Sequence, residues 1–104
     1  MDRNILDMKT EKNGSELTVR LCGPLNTMTS PMLSKHLEAE LPGVQHLALD
    51  FADCEFVSSA GLRVLLNVYK SLKAAGGAMV LIHVGDAFRE VLEGTGFYTV
   101  FDIR

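Results

Sequence analysis

HLALDFADCEFVSSAGLRVLL, residues 46–66, passes from a run of apolar residues through a short polar stretch into a helical pattern. The run His46–Phe51 is apolar on both faces, which is typical of a central strand that is covered on both sides or lies in a mixed sheet. Ser58 and Ser59 stand where a helix N-cap is expected. The helix should continue to about Ala75 and end at Gly76-Gly77. The segment therefore predicts a strand followed directly by a helix.

The predicted helix carries one broad apolar stripe, as a helix packed on a sheet does. The members of the stripe are Leu62, Leu65, Leu66, Tyr69 and Leu72. Val64 and Val68 lie beside it, and they belong either to the core or to an exposed docking patch near Ser59.

Toward the N-terminus, the sequence predicts two strands and a helix. Ile5–Lys9 is a short, weak strand pattern, and Asn13-Gly14 is a hairpin turn signal. A half-buried second strand follows from the alternation of Leu17, Val19 and Leu21. A helix should open at Thr29-Ser30-Pro31, with a capping hydroxyl and proline at the first helical position, and end at Pro42-Gly43. Its apolar stripe is Leu33, Leu37 and Leu41.

Toward the C-terminus, Ala78–His83 is another apolar strand and Gly85-Asp86 opens a short helix to about Glu93. Its inward residues should be Phe88, Val91 and Leu92. Gly94-Thr95-Gly96 is then a turn, and Tyr98–Ile103 a last strand. The order β-β-α-β-α-β-α-β predicts a single α/β domain over residues 1–104, with a mixed sheet of four to five strands packed with three helices. Its strand–helix junctions should share one rim, where open α/β sheets place their functional residues.

Composition excludes several classes of protein. The chain has 104 residues, a net charge of −3 and no Lys/Arg cluster, which argues against nucleic-acid binding. Its apolar runs are far shorter than the roughly 20 residues of a membrane helix. Residues 1–4 show no apolar signal-peptide region, so we expect a cytoplasmic protein. Cys22 and Cys54 have no metal-ligand spacing and are expected to be small buried residues in a reducing cytosol.

Motifs for cofactors and metals are weak. The chain has no P-loop, and Gly94-Thr95-Gly96 is a bare G-x-G that follows a helix instead of a strand. His36, His46 and His83 are scattered without i, i+4 pairing, so we expect ordinary surface or strand-end histidines and no metal site. The sequence thus predicts no bound cofactor.

A hydrolase is one alternative. Residues 57–61, VSSAG, resemble a nucleophile elbow, but Val57 stands where the first glycine is required. His83 would approach Ser59 if their strands were neighbours, with an orienting carboxylate from Asp50, Asp53 or Asp86. Against this, a chain of this size leaves little room for a substrate pocket.

The serine pair itself admits two interpretations. Ser58 caps the helix and Ser59 lies silent in the first turn, or Ser59 is a phosphorylation site. The second is physically workable because backbone N–H groups and the helix dipole favour negative charge at a helix N-terminus. A phosphate there adds roughly −1.5 to −2 charges and would repel a closely packed partner.

Residues 47–51 (LALDF), residues 56–66 (FVSSAGLRVLL) and Gly76-Gly77 before a strand resemble the STAS family, and more narrowly its bacterial anti-sigma factor antagonists. The similarity extends to residues 21–26 (LCGPLN), which match the family's Gly-x-(Leu/Val/Ile)-Asp stretch before the first helix. Residues 88–92 (FREVL) and 95–97 (TGF) match the third helix and the following turn. The resemblance thus covers nearly the whole chain.

This resemblance implies a partner-switching protein without enzyme activity. The unphosphorylated antagonist binds a serine kinase that is also an anti-sigma factor; phosphorylation releases it, and a metal-dependent serine phosphatase restores the binding form. The family segment reads Asp-Ser-(Ser/Thr)-Gly-Leu, with the first serine modified. Aligned on Gly61, the modified serine is Ser59. The resemblance further implies a partner-binding segment, formed by Ser58, Ser59, Ala60, Gly61 and Leu62, together with Asn26 at the family's aspartate position.

From the resemblance, Ser58 is expected to cap the helix beside the phosphate acceptor, and Gly61 to permit close approach of the partner. A second possibility within the same family is an unphosphorylated accessory subunit of a transporter or sensory complex. A constitutive complex, unaffected by ATP and kinase, would distinguish that subunit from a switch protein.

Overall fold

The first two strands form a hairpin. In the computed structural model, which describes residues 5–104, β1 spans Asp7–Asn13 and β2 spans Glu16–Cys22, paired antiparallel. The turn residues are Gly14, with φ of +63°, and Ser15, so the predicted hairpin is confirmed one residue later than Asn13-Gly14. Ile5–Lys9 is wrong as the extent of the first strand. Nearly every β1 side chain is exposed, so pairing with β2 defines this strand, and its own pattern does not.

The prediction that the chain carries no signal peptide concerns residues 1–4, which lie outside the described residues. Over the described range, no helix is long and apolar enough to cross a membrane.

The sheet has five strands in the order β1-β2-β3-β4-β5. β3 spans His46–Asp53, β4 spans Ala78–Ile82 and β5 spans Asp102–Ile103. β2 to β5 pair in parallel, so the sheet is mixed as predicted. Tyr98–Ile103 is wrong as the last strand: Phe97–Thr99 forms a 3-10 turn, and only the final two residues of the predicted strand form β5.

Three helices follow the parallel strands: α1 spans Ser30–Glu40, α2 spans Ser59–Ala74 and α3 spans Asp86–Thr95. The capping hydroxyl predicted for α1 is wrong, because Thr29 at the N-cap makes no side-chain cap bond. α3 runs two residues beyond its predicted end, and Gly96, with φ of +82°, terminates it.

The helices cover one face of the sheet. On that face the strand side chains are buried: Leu17, Val19, Leu21, Leu47, Leu49, Phe51, Met79 and Leu81. The alternate side chains, such as Thr18, Ala48 and Val80, are only half-buried. Of the two sheet environments predicted for the central strand, the mixed sheet is therefore confirmed and coverage on both faces is wrong.

Helix side chains complete a single core. The Phe88 ring of α3 lies 5.0 Å from the Phe51 ring of β3, centroid to centroid. Leu92 is buried too, but Val91, which was expected to point inward, is exposed. Val64 and Val68 on α2 are partly buried and pack against the core, which agrees with their interpretation as core residues.

The three strand–helix junctions lie at the carboxyl ends of β2, β3 and β4. Because these strands are parallel neighbours, their carboxyl ends meet at one edge of the sheet. The predicted common rim is thereby confirmed.

Candidate functional site

The junction between β3 and α2 ends in the predicted helix cap. Ser58 has extended backbone angles, φ −84° and ψ 174°, and its Oγ accepts a hydrogen bond of 3.3 Å from the Gly61 N–H. Its side chain thereby satisfies one of the N–H groups that the first helical turn leaves without a backbone partner. The predicted capping role of Ser58 is confirmed.

Ser59 is the first residue of α2 and is exposed. Within residues 5–104 its hydroxyl takes part in no hydrogen bond. The neighbouring Ala60 is half-buried. The two adjacent serines therefore have different roles: the Ser58 hydroxyl stabilises the helix, whereas the Ser59 hydroxyl faces solvent.

Gly61 and Leu62 lie inside the fold. Both are buried, and a Cβ placed on Gly61 would stand only 2.8 Å from Leu25 Cγ. The close approach that this glycine permits in the structure is that of Leu25, from the preceding junction. The predicted contact of Gly61 and Leu62 with a partner stays a prediction.

Leu25 joins the two junctions through backbone hydrogen bonds. It forms an isolated parallel bridge with Val57. The Leu25 N–H donates to the Phe56 carbonyl at 2.9 Å, and the Ser58 N–H donates to the Leu25 carbonyl at 2.8 Å. Asn26, the next residue, is therefore held beside the start of α2, as expected if both belong to one surface.

Asn26 uses its side chain to shape the loop before α1. Its Oδ1 accepts hydrogen bonds from the Met28 N–H at 2.9 Å and the Thr29 N–H at 3.0 Å. The buried Thr29 hydroxyl accepts from the Asn26 N–H and donates to the Pro24 carbonyl, both at 2.8 Å. An amide oxygen accepts these bonds as a carboxylate would, so asparagine serves at this position.

Large apolar side chains are exposed in and next to the first two junctions of this rim. Met28 in the first junction is 64% exposed, Met32 on the first turn of α1 is 44% exposed, and Phe56 before the α2 cap is 57% exposed. Apolar side chains grouped at a polar edge are typical of protein interfaces. Sequence reasoning missed these residues; the available signal was the position of Met28 and Phe56 in loops and of Met32 outside the Leu33, Leu37 and Leu41 stripe of α1.

A depression of about 250 Å³ lies on the other side of Ser59, between α2 and the end of α3. Its lining is almost entirely apolar apart from one cation. The lining residues are Ser59, Leu62, Arg63, Leu66, Thr95 and Phe97. Ser59 thus lies at the edge of an apolar depression.

The hydrolase arrangement is not formed. His83 Nδ1 lies 2.8 Å from Asp50 Oδ1. Asp50 alternates with the buried Leu49 and Phe51, so it points to the sheet face away from the helices, whereas α2 with Ser59 packs on the other face. No hydrogen bond joins Ser59 to His83 in the described chain. The sheet separates the acid–histidine pair from the serine.

The Asp50 carboxylate is nevertheless well stabilised. Partial burial is the largest single cause and acts to raise its pKa. Hydrogen bonds from the Ala52 N–H and from His83, together with the electrostatic attraction of His83 and Arg20, outweigh it and hold the pKa below its ordinary value. His83 has φ of +57°, and its N–H donates to the Arg104 carbonyl at 3.0 Å. The pair therefore serves to join the ends of β3 and β4.

The remaining candidate ligands are dispersed. In residues 5–104, no group of three or more His, Cys, Asp or Glu side chains is arranged to hold a metal ion. His36 bonds to the Thr10 hydroxyl at 2.7 Å, and His46 is exposed. The predicted Gly94-Thr95-Gly96 turn is wrong in its extent, because Gly94 and Thr95 belong to α3.

The two cysteines differ in burial. Cys54 is buried, and this burial raises the pKa of its thiol to about 11. Cys22 is half-buried, with Sγ 3.8 Å from Asp53 Oδ2. Neither forms a disulfide. The expected burial is therefore confirmed for Cys54 and only partial for Cys22.

Comparison with known proteins gives a consistent assignment. A model of the STAS domain family matches residues 7–104. A Bordetella bronchiseptica protein, BtrV, named as a candidate anti-sigma factor antagonist, is 32% identical over 99 residues, covering 94% of this chain and 85% of the relative.

Two solved structures share the fold. An anti-sigma factor antagonist from Mycobacterium paratuberculosis superposes with a TM-score of 0.86 at 23% identity, covering 98% of this chain and 87% of its own. The Bacillus cell fate determinant SpoIIAA, in its phosphorylated form, gives a TM-score of 0.74 at 18% identity over 94% of this chain and 91% of its own.

Proposed function

Because the chain belongs to the STAS domain family, we propose that it is an anti-sigma factor antagonist, a cytoplasmic binding protein without catalytic activity of its own. In its unphosphorylated form it binds a serine kinase that also acts as an anti-sigma factor. Phosphorylation of Ser59 ends that complex. A metal-dependent serine phosphatase returns the protein to its binding form.

The observation that carries this proposal is the exposed Ser59 hydroxyl, which has no hydrogen bond in the described chain and stands at the start of α2 beside an apolar depression. A kinase reaches such a hydroxyl without unfolding the domain. The neighbouring Thr29 and Ser30 hydroxyls are buried and bonded within their loop, so they are poor acceptors.

The chemistry of the switch is simple. The Ser59 Oγ forms a bond to the γ-phosphorus of ATP, the bond from that phosphorus to the β–γ bridging oxygen breaks, the hydroxyl proton is lost to base, and ADP leaves. The product carries roughly −1.5 to −2 added charge at the helix N-terminus. Helix N–H groups stabilise this charge in the free protein. In the complex the same charge must be desolvated against the partner, so binding weakens.

Two substitutions at Ser59 test the proposal in a pull-down with the cognate kinase. We expect Ser59→Asp to weaken binding at least about tenfold. A carboxylate that is buried at an interface, or that faces a negative group of the partner, costs several kcal/mol of binding free energy. Ser59→Ala should still bind but should not be released by ATP. Ser71→Asp, at an exposed position of the same helix, is the matched control and should bind like the parent chain. Equal binding by both Ser59 variants contradicts the proposal.

Mass spectrometry of the protein incubated with the kinase and ATP gives an independent test. We expect a single phosphate, mapped to Ser59 and absent from Ser59→Ala. A stoichiometric complex with another protein that is insensitive to ATP, with residue 59 unmodified, would instead assign the chain to accessory subunits of transporters or sensory complexes.

A further inference from the structure

Arg63 is distinguished from the other described arginines by having no partner. Arg20 bonds to Asp53 at 2.7 Å, Arg104 to Asp102 at 3.2 Å, and Arg89 to the Tyr98 hydroxyl at 2.9 Å. Arg63 is exposed, and within residues 5–104 it forms no hydrogen bond or ion pair. Its guanidinium is therefore available to an anion.

The position of Arg63 is one helical turn after Ser59, on the same side of α2. Both residues line the apolar depression described above. Side chains four residues apart on a helix have Cβ atoms about 5–6 Å apart. Long helical side chains also lean toward the N-terminus, which directs the Arg63 stem back toward the first turn.

Charge favours the same pairing. An acidic group that precedes a basic one by four residues is the better order for a helical ion pair. Among the residues that line the depression, Arg63 is the single charged one, so no carboxylate there competes for it. The planar guanidinium donates two parallel hydrogen bonds to a phosphate, whereas a lysine acts as a point charge.

We propose that Arg63 is the internal phosphate-binding residue of this protein: once Ser59 carries a phosphate, the Arg63 guanidinium binds it and lies across the apolar depression. This inference rests on the proposed modification of Ser59. Phosphorylation then acts twice, by adding negative charge at the rim and by drawing a cation over the apolar surface beside it. The free arginine of the unmodified protein leaves that surface open.

The test uses protein with phosphoserine placed at position 59 by genetic encoding, so that no kinase is needed. Titration of its ³¹P NMR signal gives the second pKa of the phosphate, about 6 when unperturbed. We expect this pKa to be lower by about half a unit in the parent chain than in Arg63→Gln, because a bound cation favours the dianion. Arg63→Lys should recover only part of the shift. In the otherwise unchanged chain, the Arg63 Nε–H signal should differ between protein with serine and protein with phosphoserine at position 59.

Lys70→Gln is the matched control, because it removes one positive charge from an exposed site on the same helix about 16 Å from residue 59. It should leave the phosphate pKa unchanged. Equal phosphate pKa values in the parent chain and in Arg63→Gln, or equal shifts from Arg63→Gln and Lys70→Gln, overturn the inference.

Kinase binding separates this inference from the proposed function. If phosphoserine at position 59 still abolishes kinase binding while Arg63→Gln leaves the phosphate pKa unaltered, the switch stands and the arginine contact fails. If the pKa shift is present but phosphoserine leaves kinase binding intact, the arginine contact stands and the switch fails. Arg63 is exposed, so a matching thermal midpoint of unphosphorylated Arg63→Gln will verify that its fold is intact.

Discussion

Two neighbouring junctions on the same rim use their hydroxyl groups differently. In the loop between β2 and α1, the Thr29 and Ser30 hydroxyls are buried and bonded to the Pro24 and Asn26 carbonyls. In the junction between β3 and α2, Ser58 caps the helix but the Ser59 hydroxyl has no hydrogen bond in the described chain. Residue type alone does not show whether a hydroxyl is available to a modifying enzyme; among these hydroxyls, that of Ser59 is exposed and has no hydrogen bond in the described chain.

The difference follows from how each helix begins. α1 has no side-chain cap, and the hydroxyls before and at its start bind their own loop. α2 is capped by Ser58 alone, which makes the next hydroxyl redundant for folding. A helix capped by one serine can expose a second without loss of stability.

Removal of the Thr29 hydroxyl should have the largest effect on stability. Thr29→Val keeps the shape but removes the buried hydroxyl that bonds to the Asn26 N–H and the Pro24 carbonyl, so we expect a loss of about 2 kcal/mol in the free energy of unfolding. Urea denaturation measures it. Thr27→Val, at an exposed position of the same loop, should change the value by less than about 0.5 kcal/mol. A similar value for both would remove the contrast between the junctions.

Gly61→Ala should rank next, because it tests the contact that joins the junctions. The new Cβ would meet Leu25 Cγ at 2.8 Å and its carbonyl oxygen at 3.1 Å. We expect overpacking to cost about 1–2 kcal/mol, net of the better helix propensity of alanine. Gly94→Ala, with no atom within 4 Å of the added carbon, should instead stabilise by about 0.5–1 kcal/mol. If Gly61→Ala and Gly94→Ala both stabilised the protein, Leu25 would not pack against α2 as described.

The serine pair gives a smaller but more direct comparison. Ser58→Ala removes the cap and should cost about 1 kcal/mol of unfolding free energy. Ser59→Ala should change it by less than about 0.5 kcal/mol. Thermal or urea denaturation of the two variants under identical conditions measures the difference. The reverse order would mean that Ser59, and not Ser58, stabilises the helix.

The Asp50–His83 contact should have the smallest effect. Because the Asp50 pKa is lowered on folding, its contribution is present above the unfolded-state pKa and is lost as the pH falls through the folded-state value. Asp50→Asn should therefore cost under about 1 kcal/mol near neutral pH, and progressively less as the pH falls below the unfolded-state pKa of about 3.9. Denaturation across the acidic range measures this. A difference that grows toward low pH would contradict the assigned direction of the shift.

Much of the fold and the central part of the site were predictable from the sequence. The order of elements followed from apolar periodicity, and the α2 cap from two serines placed before a helical stripe. Those signals are local, because capping and amphipathic packing depend on residues within one or two turns.

Apart from the α1 cap, whose hydroxyl bonds within its own loop, the errors concern features that distant partners decide. β1 is a polar edge strand without a pattern of its own, and β5 is cut short because residues 97–99 turn instead of extending. Val91 was placed in the core by spacing alone, yet it is exposed. The exposure of Met28 and Phe56, and the lack of a partner for Arg63, depend on how separate segments meet, which no local pattern reports.

The backbone bridge between Leu25 and Val57 limits how far a change at Ser59 can alter the structure. Leu25 bonds to the segment before Ser59 through both its backbone groups: its N–H donates to the Phe56 carbonyl at 2.9 Å, and its carbonyl accepts from the Ser58 N–H at 2.8 Å. The start of α2 therefore has little freedom to move. Amide exchange across the sheet should accordingly be the same in the unmodified protein and in protein with phosphoserine at position 59, with differences confined to the first turn of α2. The proposed modification would then need no refolding step, so its rate would depend only on the modifying enzymes.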